Sequence, residues 1–318
     1  MSKPGRPGSG EPTLRDIAKA TGCSLMTVSR VLGAHADLVA EPKRSHIRRV
    51  AEQLGYRPNL NIRALRRGSG TLVGLLTERF DARSHAILIG LHDTLVPQGL
   101  LPCLLVIDHQ PAQPGMSAGD SAVRHLIERR MAAILGILPD PAVAPEWLPS
   151  LTREAMERGI PCLAIGATAH EYGLPMVRAD LAGAAHHLVD HAVGQGAKAA
   201  CLVEDPDGDG WQRALAAAVR SEAKRRGVAL RASARPLPKA GEAVLALSEA
   251  GVAGLAGQAL RPAWISTHDP AFTSLAGTAV DLRWEDLGRA AGEHLLRQRE
   301  GAGQDRTVDL EPLVRRQE

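Results

Sequence analysis

A short run near the start of the chain carries side chains suited to reading DNA. Arg30 can donate two hydrogen bonds to one guanine, while Leu25 and Met26 can contact thymine methyl groups. Thr27 and Ser29 add hydroxyl groups of the kind that bind backbone phosphates. This group of side chains within six residues indicates contact with double-stranded DNA, if one element presents them together.

The spacing of apolar residues around this run predicts two helices joined by a tight turn. Gly22 suits the turn because glycine tolerates a positive φ, and Ser24 is a natural N-cap for the second helix. The apolar residues that would pack the helices together are Ile17, Ala18, Ala20, Val28, Val31 and Leu32. The result is a helix-turn-helix whose second helix presents five residues outward, Leu25, Met26, Thr27, Ser29 and Arg30. Thr13, at the start of the motif, is counted with the DNA-contacting residues.

The charge distribution agrees with a DNA partner. Residues 1–70 hold 13 Lys and Arg and 5 Asp and Glu, a net charge of +8, whereas the rest of the chain has a net charge of −5. A concentrated basic segment is the electrostatic signature of phosphate contacts. Its charges alternate with helical apolar positions, which a solvated charged tail would lack.

The chain has 318 residues, which is more than one typical domain contains. Of these residues, 44% are hydrophobic. Residues 1–12 are rich in Pro, Gly and Ser, and we expect them to form a disordered tail. We assign residues 13–58 to a DNA-binding domain, called the headpiece below. Residues 59–70 are assigned to a hinge helix and linker, and residues 71–318 to one large remaining region.

Beyond residue 70, short apolar runs alternate with helical segments. The strand-like runs are Leu72–Thr77, Cys103–Ile107, Ala132–Leu138, Cys162–Ile165, Ala199–Val203, Ala243–Leu247 and Ala263–Thr267. The helical stretches between them include 84–98, 119–130, 150–158, 181–195, 211–226 and 249–259. This alternation predicts an α/β fold with parallel sheets covered by helices on both faces, as one sheet or two. We expect the chain to pass from one sheet to the other at Ala167–Met176.

Several classes of protein lack support in the sequence. The chain begins without the apolar run of a signal peptide and contains no run of about 18 apolar residues, so we expect a cytoplasmic protein without a membrane span. No nucleophile elbow, Walker loop or Gly-x-Gly-x-x-Gly turn indicates an enzyme or a nucleotide cofactor. Four cysteines without metal-ligand spacing are expected to be reduced, the last three of them buried in strands. They are Cys23, Cys103, Cys162 and Cys201.

Two local patterns imitate metal sites. The segment from Asp205 to Gly210 is similar to the start of a calcium-binding EF-hand loop, but the position of the closing carboxylate is Ala216. His187 and His191 have the i, i+4 spacing of zinc ligands without an evident third ligand. We expect a loop beside a pocket and a solvated helix face, and no bound metal.

The headpiece resembles the LacI/GalR family of bacterial transcription repressors. The matching strings are Thr27-Val-Ser-Arg-Val-Leu32, Leu54-Gly-Tyr-Arg-Pro-Asn59, Arg63-Ala-Leu65 and Gly68. Weaker similarity continues at Gly74, Arg158-Gly-Ile-Pro161, Val177-Arg-Ala-Asp180 with Gly183, and Leu287-Gly-Arg-Ala-Ala291 with Leu295-Leu296. The resemblance implies a homodimer with two headpieces, a hinge helix and a two-lobed core of the periplasmic-binding-protein type. Such a dimer binds a palindromic operator and is controlled by a small-molecule effector.

For DNA binding, the resemblance makes Leu25 and Met26 the main base readers, because they are the first residues of the recognition helix. Arg30 matches an arginine of the family motif, and Tyr56 lies within a matching string. Leu25 and Met26 offer only apolar contact, which distinguishes bases less sharply than an arginine that binds guanine.

The resemblance also makes residues 59–67 a hinge helix that orders on the operator. Asn59 would be its N-cap, and Arg63 would contact phosphates. Leu65 corresponds to the leucine that wedges between base pairs from the minor groove. Ile62 departs from the family's usual alanine, which leaves the hinge geometry open.

In the core, the resemblance implies an effector between the two lobes. Arg213, close to Trp211, matches an arginine that holds ligand hydroxyls or carboxylates. The other candidates, at strand ends or a helix start, are Arg79, Phe80, Asp180, His268 and Asp269. Gly166 departs from an aspartate that often binds sugar hydroxyls, and Ser248-Glu249 departs from an Asn-Asp pair. With that acidic group missing and with His268 and Arg213 present, we expect an anionic effector. The string from Leu25 to Arg30 and the His268-Asp269 pair are similar to gluconate-type regulators of the family, which implies a sugar acid such as gluconate.

Two other interpretations stay open. The chain can be a two-lobed small-molecule-binding protein with an incidental basic arm, or a LacI-type regulator whose pocket has decayed. The helix-turn-helix and hinge have no use in a solute-binding protein, so they favour an effector-controlled repressor. The departures at Gly166 and Ser248 keep the decayed pocket in consideration.

Overall fold

The computed structural model describes residues 12–33, 35–57, 70–78, 80–107, 115–141, 144–167, 173–205, 208–234, 238–248, 250–255, 260–266, 276–301 and 307–317. The chain divides between Gly68 and Ser69 into two compact units. The first contains the headpiece, and the second is called the core. The predicted hinge at 59–67 lies outside the described residues.

The described headpiece consists of α1 (Leu14–Thr21), α2 (Leu25–Val31) and α3 (Glu41–Gln53), with a 3₁₀ turn at Ala36–Leu38. Gly22 has a φ of 63° between α1 and α2, as the predicted turn requires. The buried residues are Ile17, Val28, Val31, Ile47 and Ala51. Ala20, which was predicted to join them, is exposed, because α1 packs through Leu14, Ile17 and Ala18 instead.

The first lobe of the core is a six-stranded sheet in the order β11-β5-β4-β3-β1-β2. Its strands are β1 (Leu72–Thr77), β2 (Leu101–Val106), β3 (Ala133–Ile137), β4 (Cys162–Gly166), β5 (Met176–Ala179) and β11 (Val308–Leu310). All of its described strand pairs are parallel, with Leu75 opposite Leu104 on one side and Leu135 on the other. The helical segments between these strands are α4 (Ala82–Leu95), a 3₁₀ turn (Val96–Gln98), α5 (Ala118–Glu128), a short helix (Leu148–Ser150) and a π-helical turn (Leu151–Ala155).

The second lobe is a six-stranded sheet in the order β12-β10-β9-β8-β6-β7. Its strands are β6 (Ala199–Val203), β7 (Ala229–Ser233), β8 (Glu242–Ala246), β9 (Ala263–Ser266), β10 (Gly277–Asp281) and β12 (Leu313–Gln317). The accompanying helical segments are α6 (Leu181–Gly194), α7 (Gly210–Arg226) and a 3₁₀ segment (Ala250–Leu255). No helix within the described ranges is long and apolar enough to cross a membrane.

Along the described strands, the chain changes lobe at Asp180, at Arg283 and at Glu311–Pro312. The crossing predicted at Ala167–Met176 is wrong, because the short run Met176–Ala179 adds one more strand to the first sheet before the chain leaves it. The prediction of parallel sheets holds except for β12. This strand returns directly from β11 without a crossover helix and pairs antiparallel with β10.

The last long helix, α8 (Trp284–Arg299), follows β10 but packs on α4, β4 and β5 of the first lobe. Glycines allow α4 and α8 to approach closely. A Cβ on Gly90 would overlap the carbonyl oxygen of Glu285, and a Cβ on Gly288 would overlap that of Ile87. The tight contact fixes α8 to the first lobe, and with it Trp284 at the crossing between the lobes.

The four cysteines are free. Cys162 and Cys201 are buried as predicted, and burial raises the pKa of the Cys162 thiol to about 12. Cys103 is only half-buried, against the prediction, because β2 is the edge strand of its sheet.

Candidate functional site

The N-terminal turn of α2 presents apolar side chains to solvent. The Oγ of Ser24 accepts a hydrogen bond from the backbone N–H of Thr27 at 3.2 Å, which caps the helix as predicted. Leu25 is 43% exposed and Met26 is 64% exposed, while Val28 behind them is fully buried. The other predicted readers are Thr27 and Ser29, which are half-buried, and Arg30, which is exposed. A supported helix therefore offers an exposed leading edge, which a base-reading surface requires.

Thr13 contributes to the headpiece through its hydrogen bonds. Its backbone N–H and its Oγ1 both donate to the carboxylate of Asp16, at 2.8 and 2.7 Å. These two hydrogen bonds, the backbone one first, lower the pKa of Asp16. Tyr56 is half-buried and packs on the headpiece core. The remaining predicted DNA contacts lie outside the described residues and are Asn59, Arg63 and Leu65.

Sequence analysis missed the basic side chains of α3. Lys43, Arg48 and Arg49 are exposed, so they add positive charge to the headpiece surface. The helix could have been found from Ile47, Val50 and Ala51, which recur at helical spacing and pack on the headpiece core.

The core contains a cavity of about 490 Å³ lined by both lobes, at the carboxyl ends of β1, β3 and β6. Ligands bind at this end of parallel strands in α/β folds. The charged lining residues are Glu78, Asp81, Arg83, Asp140, Glu146, Asp209 and Arg213. Among the described lining residues, carboxylates therefore outnumber guanidinium groups.

Arg83, which sequence analysis did not single out, joins two helix caps across the cavity. Asp81 is the N-cap of α4 in the first lobe, and its carboxylate accepts from the Arg83 Nε at 3.1 Å. Asp209 is the N-cap of α7 in the second lobe and accepts from the Arg83 Nη2. Burial alone would raise the pKa of Asp81, but the Arg83 charge and the Ser84 N–H outweigh it and hold that pKa below 3.8.

Two tryptophans lie against this guanidinium group. The Arg83 Cζ is 5.6 Å from the ring centre of Trp211 and 6.0 Å from that of Trp284, which is cation–π distance. The two indoles pack edge to face with centroids 4.9 Å apart. The indole N–H of Trp211, a predicted effector residue, donates to the carbonyl oxygen of Leu138 at 2.7 Å. Because Leu138 follows β3, this hydrogen bond also joins the two lobes.

Arg213, a predicted effector residue, lines the cavity. Its Nη2 donates to Asp140 of the first lobe at 2.9 Å, and its Nη1 donates to the carbonyl oxygen of Gly208 at 2.8 Å. The side chain is 66% exposed, so the guanidinium group is accessible from the cavity mouth.

A second cavity of about 250 Å³ adjoins the first and shares Arg83, Trp211 and Trp284 with it. Its remaining walls are mostly apolar and come from the second lobe, where Leu247, Ile265 and Leu282 lie at strand ends. Ser248, one of the departures from the family pattern, also lines it. The Ser248 Oγ accepts from the backbone N–H of Gly251 at 3.3 Å. The two cavities share Asp81, Arg83, Asp209, Trp211 and Trp284, and the second has the more apolar lining.

The other predicted effector residues are placed less directly. Asp180 accepts from the backbone N–H of Gly183 at 2.8 Å and so caps α6. Phe80 is 56% exposed and packs edge-on against His85, outside the described lining of both cavities. The predicted residues that lie outside the described ranges are Arg79, His268 and Asp269.

At Gly166, apolar side chains take the space of the missing aspartate. A Cβ on Gly166 would lie 2.8 Å from the Leu138 Cδ1 and 3.3 Å from the Met176 Cε. The departure from the family pattern is therefore matched by packing around it.

The two patterns that imitate metal sites have other partners. Asp209 caps α7, and Ala216, at the closing position of the imitated loop, is buried. His191 lies within hydrogen-bond distance of Thr278 Oγ1 and of the Arg261 carbonyl oxygen, at 2.8 and 2.7 Å. No group of three potential metal ligands occurs within the described part of the chain.

Comparisons with known proteins agree with the headpiece geometry. Residues 13–59 match the family model of bacterial regulatory proteins, lacI family. The chain is 27% identical over 197 residues to the HTH-type transcriptional regulator PtxS of Pseudomonas putida, covering 61% of this chain and 54% of that protein. It is 27% identical over 203 residues to PtxS of Pseudomonas aeruginosa, covering 63% and 56%. The matches thus span about half the length of these curated relatives.

Solved structures with the same fold cover nearly the whole chain. The Lac repressor bound to ONPG in the repressed state superimposes with a TM-score of 0.76 at 17% identity, over 97% of this chain and 99% of that one. The Lac repressor dimer bound to operator and the anti-inducer ONPF superimposes with a TM-score of 0.73 at 16% identity, over 97% of this chain and 99% of that one. At these identities the likeness establishes the fold, and it confirms the predicted helix-turn-helix headpiece and two-lobed core. The comparisons thus show a headpiece of the lacI family over residues 13–59 and the two-lobed fold of the Lac repressor over nearly the whole chain.

Proposed function

We propose that this protein is a transcriptional regulator that binds a palindromic DNA operator as a homodimer and responds to a small molecule held between the lobes of its core. The observation that carries the proposal is the exposed leading edge of α2. Leu25 and Met26 project from a helix whose opposite face is fully packed, and Arg30 is exposed on the same short helix. Exposed apolar side chains at this position have a use on DNA and none in a ligand-binding protein.

The charge of the chain supports DNA as the partner. The net +8 of residues 1–70 contrasts with the net −5 of the rest, so attraction to phosphates is concentrated at the headpiece end. Residues 59–70 would be the hinge helix and linker. There Asn59 would cap the helix, Arg63 would bind phosphate, and Leu65 would wedge into the minor groove. The names of the relatives support the same role, since both PtxS proteins are called HTH-type transcriptional regulators.

Selection from a pool of random duplex DNA with the full chain tests this role. We expect an enriched palindrome, because a dimer presents two identical headpieces to two half-sites. Replacing Met26 by Ala should relax the selected sequence at one position in each half-site, whereas Lys43→Ala should weaken all duplexes alike. Failure to enrich any sequence at moderate salt would leave only non-specific binding and reject the proposal.

The effector would bind in the cavity of about 490 Å³, which supports a working rather than a decayed pocket. Our candidate class is a sugar acid such as gluconate. Its carboxylate would replace Asp140 on the accessible Arg213 guanidinium group, and its hydroxyls would donate to the lining carboxylates. Its apolar ring or chain face would lie against Trp211.

Calorimetric titration separates this class from neutral sugars. We expect gluconate or 2-ketogluconate to bind and glucose to bind more weakly. Arg213→Gln should abolish the preference for the acid, while Arg220→Gln, on the same helix but paired with Glu204 inside the second lobe, should keep it. Binding of neutral sugars alone would reject the sugar-acid assignment and leave the DNA-binding role standing.

A further inference from the structure

The side chains that line the main cavity also hold the two lobes together. Among the contacts of the described residues, three link the lobes across it: Arg83 to Asp209, Trp211 to the Leu138 carbonyl, and Arg213 to Asp140. Each joins α4 or the end of β3 in the first lobe to the start of α7 in the second. The cleft is therefore bridged by the protein's own groups, in the place where a ligand would bridge it.

Arg83 is the most constrained of these links. Its side chain is 19% exposed, whereas that of Arg213 is 66% exposed. It binds one carboxylate from each lobe, Asp81 and Asp209, and it lies at cation–π distance from two indoles. A shielded guanidinium group with two charged partners is costly to leave half-paired, because the remaining group would stay desolvated.

The two carboxylates are themselves fixed before Arg83 binds them. Asp81 caps α4 through the Ser84 N–H at 2.9 Å, and Asp209 caps α7 through the Gln212 N–H at 3.0 Å. The guanidinium group therefore ties together the N-termini of two helices that belong to different lobes. Moving one lobe relative to the other must stretch this connection.

We propose that Arg83 is a latch that closes the cleft in the absence of an effector, and that an effector acts by breaking the bond between Arg83 and Asp209. The second part rests on the proposed function. Since Arg83 already holds two carboxylates, an acceptor oxygen of an effector bound to Arg213 can reach Arg83 only by displacing one of them. Loss of Asp209 would free the second lobe to rotate, so the effector would open the cleft instead of closing it.

Tryptophan fluorescence of the full chain reports on the latch without a ligand. Of the four tryptophans, Trp211 and Trp284 line the cleft, whereas Trp147 and Trp264 are fully buried inside the separate lobes. Opening would expose only the first two. We expect Arg83→Gln to raise quenching by acrylamide and to shift the emission maximum to longer wavelength.

Asp209→Asn provides a second variant in case Arg83→Gln fails to fold. Asparagine keeps the cap of α7 while removing the charge, so it should reproduce the quenching change. Arg220→Gln is the matched control, because it removes an arginine that pairs with Glu204 within one lobe. Wild-type quenching in both folded latch variants, or an equal rise in the control, would overturn the latch.

Operator affinity tests separately whether the latch controls DNA binding. Arg83→Gln should change the affinity for the selected operator at least about fivefold without any ligand, the low end of known couplings between sites. An unchanged operator affinity together with raised quenching would overturn the regulatory part alone. If no operator can be selected at all, the proposed function fails, and the quenching result still decides whether Arg83 closes the cleft.

Discussion

Gly210 lies directly against Asp140 across the cleft. A Cβ on Gly210 would stand 2.5 Å from the Cβ of Asp140, closer than two carbon atoms pack. Gly210 is the first residue of α7, and Asp140 receives the hydrogen bond from Arg213. The absence of one methyl group thus allows the second lobe to approach the first.

Gly210→Ala should therefore separate the lobes at this point. We expect a loss of about 1–3 kcal/mol in the free energy of unfolding, as for other overpacked contacts, and raised acrylamide quenching of the cleft tryptophans. Gly194→Ala is a suitable control, since no atom lies within 4 Å of its added Cβ. A fully stable Gly210→Ala protein with wild-type quenching would contradict the close contact.

The charge of Asp81 should make stability depend on pH. Its pKa in the folded protein lies below 3.8, so it stabilises the fold above its unfolded pKa, and this contribution is lost as the pH falls through the folded value. Asp81→Asn retains a good cap and lacks the charge. The difference between wild type and Asp81→Asn in urea midpoints should stay constant above about pH 5 and shrink as the pH falls below the ordinary aspartate pKa of about 3.9. A difference that grows on acidification would contradict the assignment.

Gly166 should not accept the aspartate that it replaces in the family pattern. The new side chain would meet Leu138 and Met176 in a buried position. We expect Gly166→Asp to cost about 1–3 kcal/mol of unfolding free energy in chemical denaturation. A variant that is as stable as wild type and binds neutral sugars more tightly would instead mean that the family subsite is intact.

The N-cap of α2 should contribute to the stability of the headpiece and not to that of the core. Ser24→Ala removes the acceptor of the Thr27 N–H and should cost about 1 kcal/mol of local stability. Hydrogen exchange at the α2 amides should then accelerate about fivefold, while amides of β1 and β6 keep their rates. Equal acceleration in the core strands would indicate a global effect and contradict a local cap.

The sequence predicted elements whose signal is local. The runs Leu72–Thr77 and Ala199–Val203 became strands with those bounds, because central parallel strands are continuously apolar. Strands β7 and β11 were missed because they carry charge and lie at sheet edges. Their charges are neutralised by distant partners, Arg231 by Glu242 and Asp309 by Arg178.

The cleft was predicted less completely, because its contacts join residues that are far apart in the sequence. Arg213 and Trp211 could be found because they lie within a family motif. Arg83 could not, since its partner Asp209 is 126 residues away and nothing local distinguishes it from other arginines at helix starts. Only the fold brings those two caps together.

The most direct test of the account is the ratio of two dissociation constants, measured with the full chain at physiological salt. One is for the palindrome obtained by selection, and the other is for a shuffled duplex of the same composition. A sequence-specific regulator should prefer the palindrome by at least about 10³-fold. Equal affinities for the two duplexes would contradict the central claim, because the basic headpiece would then bind DNA by charge alone.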